Sequence, residues 1–302
     1  MIRRTRPRPV SLPPALQRSL DLLCCPACRA GRLHTDRGAL RCPRGHSFDI
    51  ARYGYAGLLT GARATSGDDA EMVRARDRFL ATGAYAPVRE VAARLAAGAV
   101  SERGTVVDVG CGTGYYLAGA LDRLPGARGL GLDSSVRALR SAARAHDRAA
   151  AVAWDVFRRF PLDDGVADVV LDVFAPRNPA EFHRVLRPTG RLVVVRPTGR
   201  HLAELRGRIP AMVTVDPAKE QRLHRALTPF FEATVTEQVE YSAALSRADL
   251  LDLVAMTPSA RHVSRAVSAG DGLLPGRVTV SVLATAYRPR RAHNAQGPLA
   301  PR

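Results

Sequence analysis

The chain has 302 residues, which is long enough for a complete α/β core and a small additional module. Its formal charge is +17 and all but one of its 45 basic residues are arginine, which favours a polyanionic partner such as nucleic acid because guanidinium groups bind phosphates. No apolar run reaches the ~20 residues of a membrane span, no signal peptide is evident, and the five cysteines form no disulfide framework, so we expect a cytoplasmic protein without a membrane partner.

Both ends of the chain are rich in arginine. Four arginines lie between Arg3 and Arg8, and Arg290, Arg291 and Arg302 lie at the other end. We predict basic disordered tails over residues 1–20 and 289–302.

The first motif is a pair of short cysteine turns, Cys25-Pro-Ala-Cys28 and Cys42-Pro-Arg-Gly-His46, separated by thirteen residues. Two such turns, joined by a hairpin, close a tetrahedral Zn²⁺ site in small β modules. We predict a zinc module over residues 21–60 with Cys25, Cys28, Cys42 and His46 as ligands. Cys24 could replace Cys25 in a longer turn, and the sequence leaves that choice open. Because all four positions are protein side chains, the zinc is structural, and its binding supplies folding free energy.

Residues 61–98 are predicted to form two helices that act as a linker or lid. The segment from Ser66 to Asp69 resembles a capping box, and apolar residues follow at helical spacing. A second helix is expected from Tyr85-Ala-Pro87 to about Gly98.

The most informative stretch is a buried strand that leads into a glycine turn. Asp108 lies at the strand end, Gly110, Gly112 and Gly114 follow, and Asp133 ends the next buried strand. Neighbouring strand ends in an α/β sheet bind a nucleoside cofactor between them, and the glycines let the backbone approach it. A carboxylate ahead of the turn would repel a pyrophosphate but suits an ammonium or a sulfonium. Asp133 would accept hydrogen bonds from ribose hydroxyls.

The rest of the chain continues the alternation of strands and helices. Ser134 is expected to cap a helix to about Arg144, and Asp155 follows a strand where an adenine amino group would lie. The segment 187–190 is expected to be a turn. Further strands are predicted over residues 149–153, 169–174, 191–195, 234–243 and 277–287. The predicted fold is an α/β seven-stranded Rossmann-like domain over residues 99–288, behind the zinc module, and it resembles that of the class I methyltransferases.

Two levels of family resemblance follow from these motifs. The spacing Asp-x-Gly-x-Gly-x-Gly resembles that of S-adenosylmethionine-dependent methyltransferases. Together with both cysteine turns, the segments 67–76, 79–80 and 83–87, Ala175-Pro176 and the segment 197–205, it makes residues 22–205 resemble the bacterial guanine-N1 methyltransferases of 23S ribosomal RNA. The resemblance implies methylation of a guanine in a 23S rRNA hairpin loop near the peptide exit tunnel. It also implies a homodimer, and the actinobacterial branch linked to tylosin-type macrolide resistance.

The resemblance adds Tyr85, Thr113 and His201 to the residues expected to contact the cofactor. The complete expected set for S-adenosylmethionine is Tyr85, Asp108, Gly110, Gly112, Thr113, Gly114, Asp133, Ser134, Asp155 and His201.

Guanine N1 carries a proton at neutral pH, so the transfer requires that this proton be removed or the N1 anion be stabilised. Asp172, at the end of the fourth strand, is the candidate catalytic base, with His183 and Glu204 as alternatives. Phe174 is a candidate to stack on an extruded base. The candidate phosphate contacts are Arg63, Arg74, Arg76, Arg78, Arg177 and Arg200.

Two other function classes stay open on the sequence. A small-molecule methyltransferase with an accessory zinc module would have a closed apolar pocket over the methyl group. A non-enzymatic RNA-binding factor would keep the fold but fail to bind the cofactor. The intact Asp108, glycines and Asp133 argue against the second of these.

Overall fold

The computed structural model describes residues 12–59, 61, 68–98, 100, 103–209, 212, 218–257 and 274–291. In these ranges no helix combines the length and the apolar character that a membrane crossing requires. Most of the two predicted tails, residues 1–11 and 292–302, lies outside the described residues.

The segment before the zinc module is folded, which corrects the predicted tail over residues 1–20. Helix α1 spans Pro14–Gln17 and a single 3₁₀ turn spans Leu20–Leu22. Leu16 is fully buried, and Arg18 donates a hydrogen bond of 2.9 Å to the carbonyl oxygen of Asp147. Apolar burial therefore begins about five residues earlier than the arginine content suggested.

The zinc module contains a small antiparallel sheet of β1 (His34–Asp36), β2 (Ala39–Arg41) and β3 (Ser47–Asp49). The hairpin between β1 and β2 turns at Arg37-Gly38, both with positive φ, which matches the twist of the two strands. Three strands of three residues each bury little apolar surface by themselves.

Two helices follow the zinc module. Helix α2 spans Ala70–Ala81. Asp69 is its N-cap, and the Asp69 carboxylate accepts hydrogen bonds from two backbone N–H groups of the first turn. Helix α3 spans Ala86–Ala97, with a proline in its first turn where no N–H is needed.

The remaining strands form one large sheet, in which the described residues contribute eight strands. Their bounds are β4 Ala56–Gly57, β5 Thr105–Val109, β6 Arg128–Asp133, β7 Ala149–Ala153, β8 Ala167–Val173, β9 Leu186–Pro197, β10 Phe231–Ala244 and β11 Arg277–Pro289. Their order is β10-β11-β9-β8-β5-β6-β7-β4; β11 is antiparallel to β9 and β10, and the other neighbours are parallel. The predicted Rossmann-like fold is confirmed, and the two-residue strand β4 extends its seven strands by one.

Helices cover both faces of this sheet. They are α4 Tyr115–Arg123, α5 Ala138–Ala142, α6 Pro179–Val185, α7 Ala203–Arg208, α8 Ala218–Leu227 and α9 Arg247–Ala255. Strands β5, β7 and β8 are buried at every position, as parallel strands with two covered faces are.

The zinc module shares a core with one face of the sheet. Because successive strand residues point to opposite faces, Val106 packs with α3 and α4, whereas Val107 packs in a core that includes Leu40 and Phe48 of the module. Arg29 of the module also donates hydrogen bonds of 3.3 Å to two carbonyl oxygens of the segment 160–162. The module is therefore docked against the face of the sheet opposite α3 and α4.

Two local predictions are wrong. Helix α5 is shorter than expected, and the hydroxyl that accepts a backbone hydrogen bond at its start, from Ala138 at 3.3 Å, belongs to Ser135 and not to Ser134. The predicted turn over residues 187–190 lies within β9, where the register shifts between Ala167 and Val169 of β8. Gly190 fits there because a Cβ would lie 3.0 Å from the carbonyl oxygen of Asp168.

Candidate cofactor crevice and metal cluster

The cofactor crevice lies at the carboxyl edge of β5, β6 and β8, where the loop 110–114 leads into α4. Gly110, Gly112 and Gly114 all have positive φ, of 71°, 54° and 84°. A Cβ on Gly110 would lie 2.6 Å from that of Ala175, so only glycine fits this turn without a shift. The sequence identified the turn because all three of its left-handed positions are glycine.

Asp133 closes this loop from the neighbouring strand. Its Oδ2 accepts a hydrogen bond of 2.8 Å from the Gly112 N–H, and its Oδ1 accepts one of 2.7 Å from the Ser135 N–H. Burial raises the pKa of Asp133. Each carboxylate oxygen has a second lone pair, which leaves Asp133 able to accept from hydroxyl groups of a ligand.

Asp108 is the buried acid of the crevice. Its Oδ2 has no hydrogen-bond partner among the described residues. Burial, followed by the charges of Asp133 and Asp172, raises the pKa of Asp108 to about 8. An orphaned carboxylate oxygen beside two other acids suits a cationic ligand, so these residues fit the ammonium and sulfonium of S-adenosylmethionine.

Tyr85 and His201 meet above the crevice, although they are 116 residues apart. The Ser281 N–H donates to His201 Nδ1 at 3.2 Å, so the neutral ring carries its proton on Nε2, which lies 3.1 Å from the Tyr85 hydroxyl oxygen. Burial, followed by the charge of Arg206, lowers the pKa of His201 to about 4. Burial raises the pKa of Tyr85. Both groups are therefore uncharged at neutral pH.

Phe174 completes an aromatic cluster with Tyr85, Tyr116 and His201. Its ring centroid is 5.9 Å from that of His201 in a stacked arrangement, and 6.2 Å and 6.3 Å from the two tyrosines. The side chain is 38% exposed. Its backbone has a φ of 57°, a strained conformation for a bulky residue. Leu202, next to His201, is left-handed too, so backbone strain lies at both sides of the aromatic cluster.

The other predicted cofactor residues line the same edge. Thr113 is buried in the loop, and Ser134 is half-buried directly after Asp133. Asp155 follows β7, where its Oδ1 accepts a hydrogen bond of 3.0 Å from the Phe157 N–H. Beside it the indole nitrogen of Trp154 is buried without a hydrogen-bond partner in the described chain.

Asp172, the predicted base, is buried beside an arginine. Its side chain is 0% exposed, and its Oδ1 lies 3.0 Å from Nε of Arg177, whose side chain is only 17% exposed. In this arrangement the carboxylate of Asp172 faces a guanidinium group, and its role as the base stays a prediction.

The two alternative bases are also engaged elsewhere. His183 packs against Phe230 and Phe231 near the start of β10, at the opposite edge of the sheet, with its Nε2 2.9 Å from the Arg290 carbonyl oxygen. Glu204 accepts hydrogen bonds of 2.8 Å and 2.5 Å from the backbone N–H and the hydroxyl of Thr279.

The four predicted zinc ligands converge. The ligand atoms of Cys25, Cys28, Cys42 and His46 all lie within 4.8 Å of one another. Cys28 Sγ is 3.8 Å from Cys42 Sγ, and His46 Nδ1 is 3.7 Å and 3.4 Å from the sulfurs of Cys25 and Cys42. A tetrahedral zinc with Zn–S bonds of about 2.3 Å separates its sulfurs by about 3.8 Å. The donors therefore fit zinc, and Cys24 lies outside the cluster.

Five of the six predicted phosphate contacts are already neutralised by a carboxylate. Arg63 lies outside the described residues. The five pairs are Arg74 with Glu71, Arg76 with Asp68, Arg78 with Asp252, Arg177 with Asp172, and Arg200 with Glu240. Arginine content alone could not distinguish paired from unpaired guanidinium groups.

Comparison with known proteins identifies two parts of the chain. Residues 106–190 match the family described as "Methyltransferase domain", and residues 23–63 match the N-terminal zinc ribbon described as "RlmA, N-terminal". Together with the fitted crevice and the four converging ligands, these matches give S-adenosylmethionine and one zinc ion as the cofactors of the protein.

Three relatives resemble the chain over most of its length. One, from Micromonospora griseorubida and assigned to the 23S rRNA (guanine-N(1)-)-methyltransferases, is 46% identical over 89% of this chain and 98% of its own. The 23S rRNA (guanine(748)-N(1))-methyltransferase of Streptomyces fradiae is 44% identical over 88% and 96%. YxjB of Bacillus subtilis, assigned to the same class, is 36% identical over 63% and 70%. The chain belongs to the 23S rRNA (guanine-N1)-methyltransferase family, as its motifs predicted.

Proposed function

We propose that this protein methylates N1 of a guanine in a hairpin loop of 23S rRNA near the peptide exit tunnel. The proposed target is guanine 748, the position printed in the name of the Streptomyces fradiae relative. The observation that carries the proposal is the orphaned Oδ2 of Asp108 beneath a partly exposed aromatic cluster, in a chain that also brings four zinc ligands together.

Different residues of the crevice would hold different parts of the cofactor. Asp108 would hold the ammonium, Asp133 and Ser134 the ribose, and Asp155 the adenine amino group. The backbone of the loop from Gly110 to Gly114, with Thr113, would lie along the methionine part, covered by Tyr85 and His201. When bound, S-adenosylmethionine would supply its sulfonium methyl group to guanine N1 and leave as S-adenosylhomocysteine, and the N1 proton would be lost to solvent.

The aromatic cluster would hold the guanine. Phe174 is exposed enough to offer one ring face to an extruded base, and stacking of this kind is worth about 1–3 kcal/mol per base. Its left-handed backbone keeps the ring near His201 and away from the core. Since His201 and Tyr85 stay uncharged, they orient the base and exclude water, and most of the acceleration comes from proximity and orientation.

Asp172 is then a positioning residue. Its ion pair with Arg177 holds the loop 174–177, and its charge disfavours ionisation of Asp108 until a cation arrives. Arrangement of the reacting atoms thus depends on carboxylates that do not touch the guanine.

The zinc module would present the RNA. Cys25, Cys28, Cys42 and His46 would hold a structural zinc in a module of residues 21–60, with residues 61–98 as the lid and residues 99–288 as the methyltransferase domain. We also propose that the protein is a homodimer whose paired zinc modules form a cleft for RNA. It would act in the cytoplasm, where ribosomes assemble, and its activity would confer resistance to tylosin-type macrolides.

The test is methyl transfer from labelled S-adenosylmethionine to an unmodified 23S rRNA hairpin fragment. The proposal expects label on N1 of a single loop guanine, with no label on a fragment in which that guanine is replaced by adenine. Label on small metabolites only would support a small-molecule methyltransferase instead. Absence of both label and cofactor binding would support a non-enzymatic RNA-binding factor.

The resistance proposal has a separate readout. Expression in a susceptible host whose 23S rRNA lacks the modification should raise the tylosin concentration that inhibits growth. The variant Asp108→Asn is the control, because it should leave the protein folded and the rRNA unmethylated.

A further inference from the structure

Tyr53 lies among three arginines at the end of the zinc module. The guanidinium carbons of Arg52 and Arg140 lie 4.8 Å and 4.4 Å from the centroid of its ring. Nη2 of Arg52 donates a hydrogen bond of 2.6 Å to the phenol oxygen. The charge of Arg144 acts on the same phenol, and together these three arginines lower the pKa of Tyr53. The ring's quadrupole attracts the guanidinium groups, but it cannot neutralise them.

These three arginines differ from many others in the described chain. Many of the described guanidinium groups meet a carboxylate, as Arg78 does with Asp252 and Arg94 with Glu237. No described carboxylate forms an ion pair with Arg52, Arg140 or Arg144, and Nε of Arg140 is buried without a hydrogen-bond partner among the described residues. Three like charges around one ring repel one another, and an anion placed among them would remove that repulsion.

The cluster bridges the zinc module and the methyltransferase domain. Arg52 and Tyr53 belong to the loop after β3, whereas Arg140 and Arg144 belong to α5 and the residues after it. The two segments are in close contact, because a Cβ on Gly54 would lie 3.6 Å from that of Ala143. Helix α5 begins five residues after Asp133, so a short segment of the chain connects the crevice to the cluster.

We propose that Arg52, Tyr53, Arg140 and Arg144 form a phosphate clamp that holds the 23S rRNA backbone across this junction, an inference that rests on the proposed function. The guanidinium groups supply charge and paired donors. The phenol oxygen already accepts from Arg52, so its O–H can donate to a phosphate oxygen. Contacts of this kind fix the register of the RNA and carry no base specificity.

The clamp is tested with the triple variant Arg52→Gln, Arg140→Gln and Arg144→Gln in the full chain. Binding of the unmodified 23S hairpin fragment is measured between 50 and 300 mM KCl, a range of roughly sixfold over which phosphate contacts weaken steeply. Each phosphate contact contributes about 0.7–0.9 to the slope of log K against log salt, and we expect the slope to fall by about 1–2. KM for the RNA should rise by about tenfold or more, with kcat and cofactor affinity unchanged.

The matched control removes the same charge elsewhere. This triple variant carries the substitutions Arg94→Gln, Arg123→Gln and Arg288→Gln. The three arginines are exposed and form ion pairs with Glu237, Glu90 and Glu232. We expect this triple variant to keep the wild-type salt slope. An equal fall of the salt slope in both triple variants would show a general effect of charge and would overturn the clamp.

Two milder variants guard against misfolding. Tyr53→Phe keeps the ring and removes the hydroxyl, and Arg144→Gln removes one charge that does not touch the ring; each should lower the slope by about 0.7–0.9 if its group meets a phosphate. Wild-type binding separates the two levels of inference. Wild-type protein that binds and methylates the fragment, with unchanged slopes in every variant, refutes the clamp alone. Wild-type protein that neither binds nor methylates it refutes the proposed function.

Discussion

The zinc module and the cofactor crevice both gather groups that repel one another, but they tolerate this in different ways. In the zinc module three sulfurs and an imidazole meet beside a three-stranded sheet of nine residues, where Cys28 is partly exposed and His46 is exposed. In the crevice three carboxylates meet inside a sheet whose strands β5 and β8 are entirely buried.

The difference lies in what relieves the repulsion when the ligand is away. A buried carboxylate can take up a proton, and the raised pKa of Asp108 indicates that it does. The large apolar core meanwhile keeps the crevice in shape. The zinc module has only a small core of its own, so its arrangement depends on the metal. We therefore expect removal of zinc to unfold the zinc module and removal of the cofactor to leave the sheet around the crevice folded.

The largest expected effect tests the metal side of this comparison. Cys28→Ser should abolish stoichiometric zinc and lower RNA methylation by about 100-fold or more, because structural zinc in small modules contributes about 10–16 kcal/mol at neutral pH. Zinc content and methyl transfer are the measurements. Cys24→Ser is the matched control, since Cys24 is a buried neighbour outside the cluster. Zinc loss in the control with retention in Cys25→Ser would assign the first ligand to Cys24.

The second effect tests Asp172 as a positioning residue. Asp172→Asn leaves Arg177 in a site that is only 17% exposed, and removal of one partner from such a pair lowers the free energy of unfolding by about 3–5 kcal/mol. Chemical denaturation is the measurement. Arg177→Gln in the same chain should restore most of that loss.

The pH–rate profile distinguishes the positioning role from that of a base. The folded Asp172→Asn variant should keep the ascending limb of the wild-type profile, with a reduced plateau. Disappearance of that limb, together with a fall of about 10²–10⁴-fold in kcat, would identify Asp172 as the base after all.

The third effect concerns the protons of the crevice. Asp108 has its pKa raised to about 8, so the unliganded protein gains stability from its protonated form at low pH and loses that stability as the pH rises through about 8. A cofactor ammonium favours the ionised form. At pH 6.5, roughly two units above the usual carboxyl pKa, cofactor binding should release nearly one proton per chain, and above pH 9 almost none.

Calorimetry in buffers of different ionisation enthalpy measures that proton count. Asp108→Asn should abolish the release and weaken cofactor binding by about 10–150-fold, the range for a lost hydrogen bond to a charged group. Proton release by wild type that does not change between pH 6.5 and 9 would contradict this account of Asp108.

The smallest effect concerns the lid above the crevice. Tyr85→Phe removes one hydrogen bond to a neutral histidine and should lower the free energy of unfolding by about 0.5–1.5 kcal/mol. Thermal unfolding would shift by a few degrees. The control is His201→Gln, whose amide can still meet the hydroxyl; a much larger loss in either variant would indicate a charged pair.

The sequence predicted those parts of the site whose residues are close along the chain. The cysteine turns span four and five residues, and the glycine turn spans five, so local spacing was enough. The succession of strands and helices followed from alternating buried and amphipathic segments. The fold class, the family and the cofactors are confirmed, whereas the roles of individual residues stay predictions.

The parts that depend on distant contacts could not be predicted. The pairing of Asp172 with Arg177 depends on how the loop after β8 turns back, and that turn requires a left-handed Phe174 which no propensity favours. Tyr53 meets Arg140 only because the zinc module docks beside α5. The sequence predicts Ser134 at the start of α5 where the structure has Ser135, because helix boundaries cannot be placed to one residue from sequence.

Strand β4 has a consequence for truncation. Its residues, Ala56–Gly57, pair with Val152 and Ala153 at the outer edge of β7. A fragment that begins after residue 60 would leave the backbone N–H and C=O groups of that edge open to pairing with another chain. Such a fragment should aggregate by strand addition, even though it keeps every carboxylate of the crevice, so we expect β4 to protect the sheet from pairing at that edge.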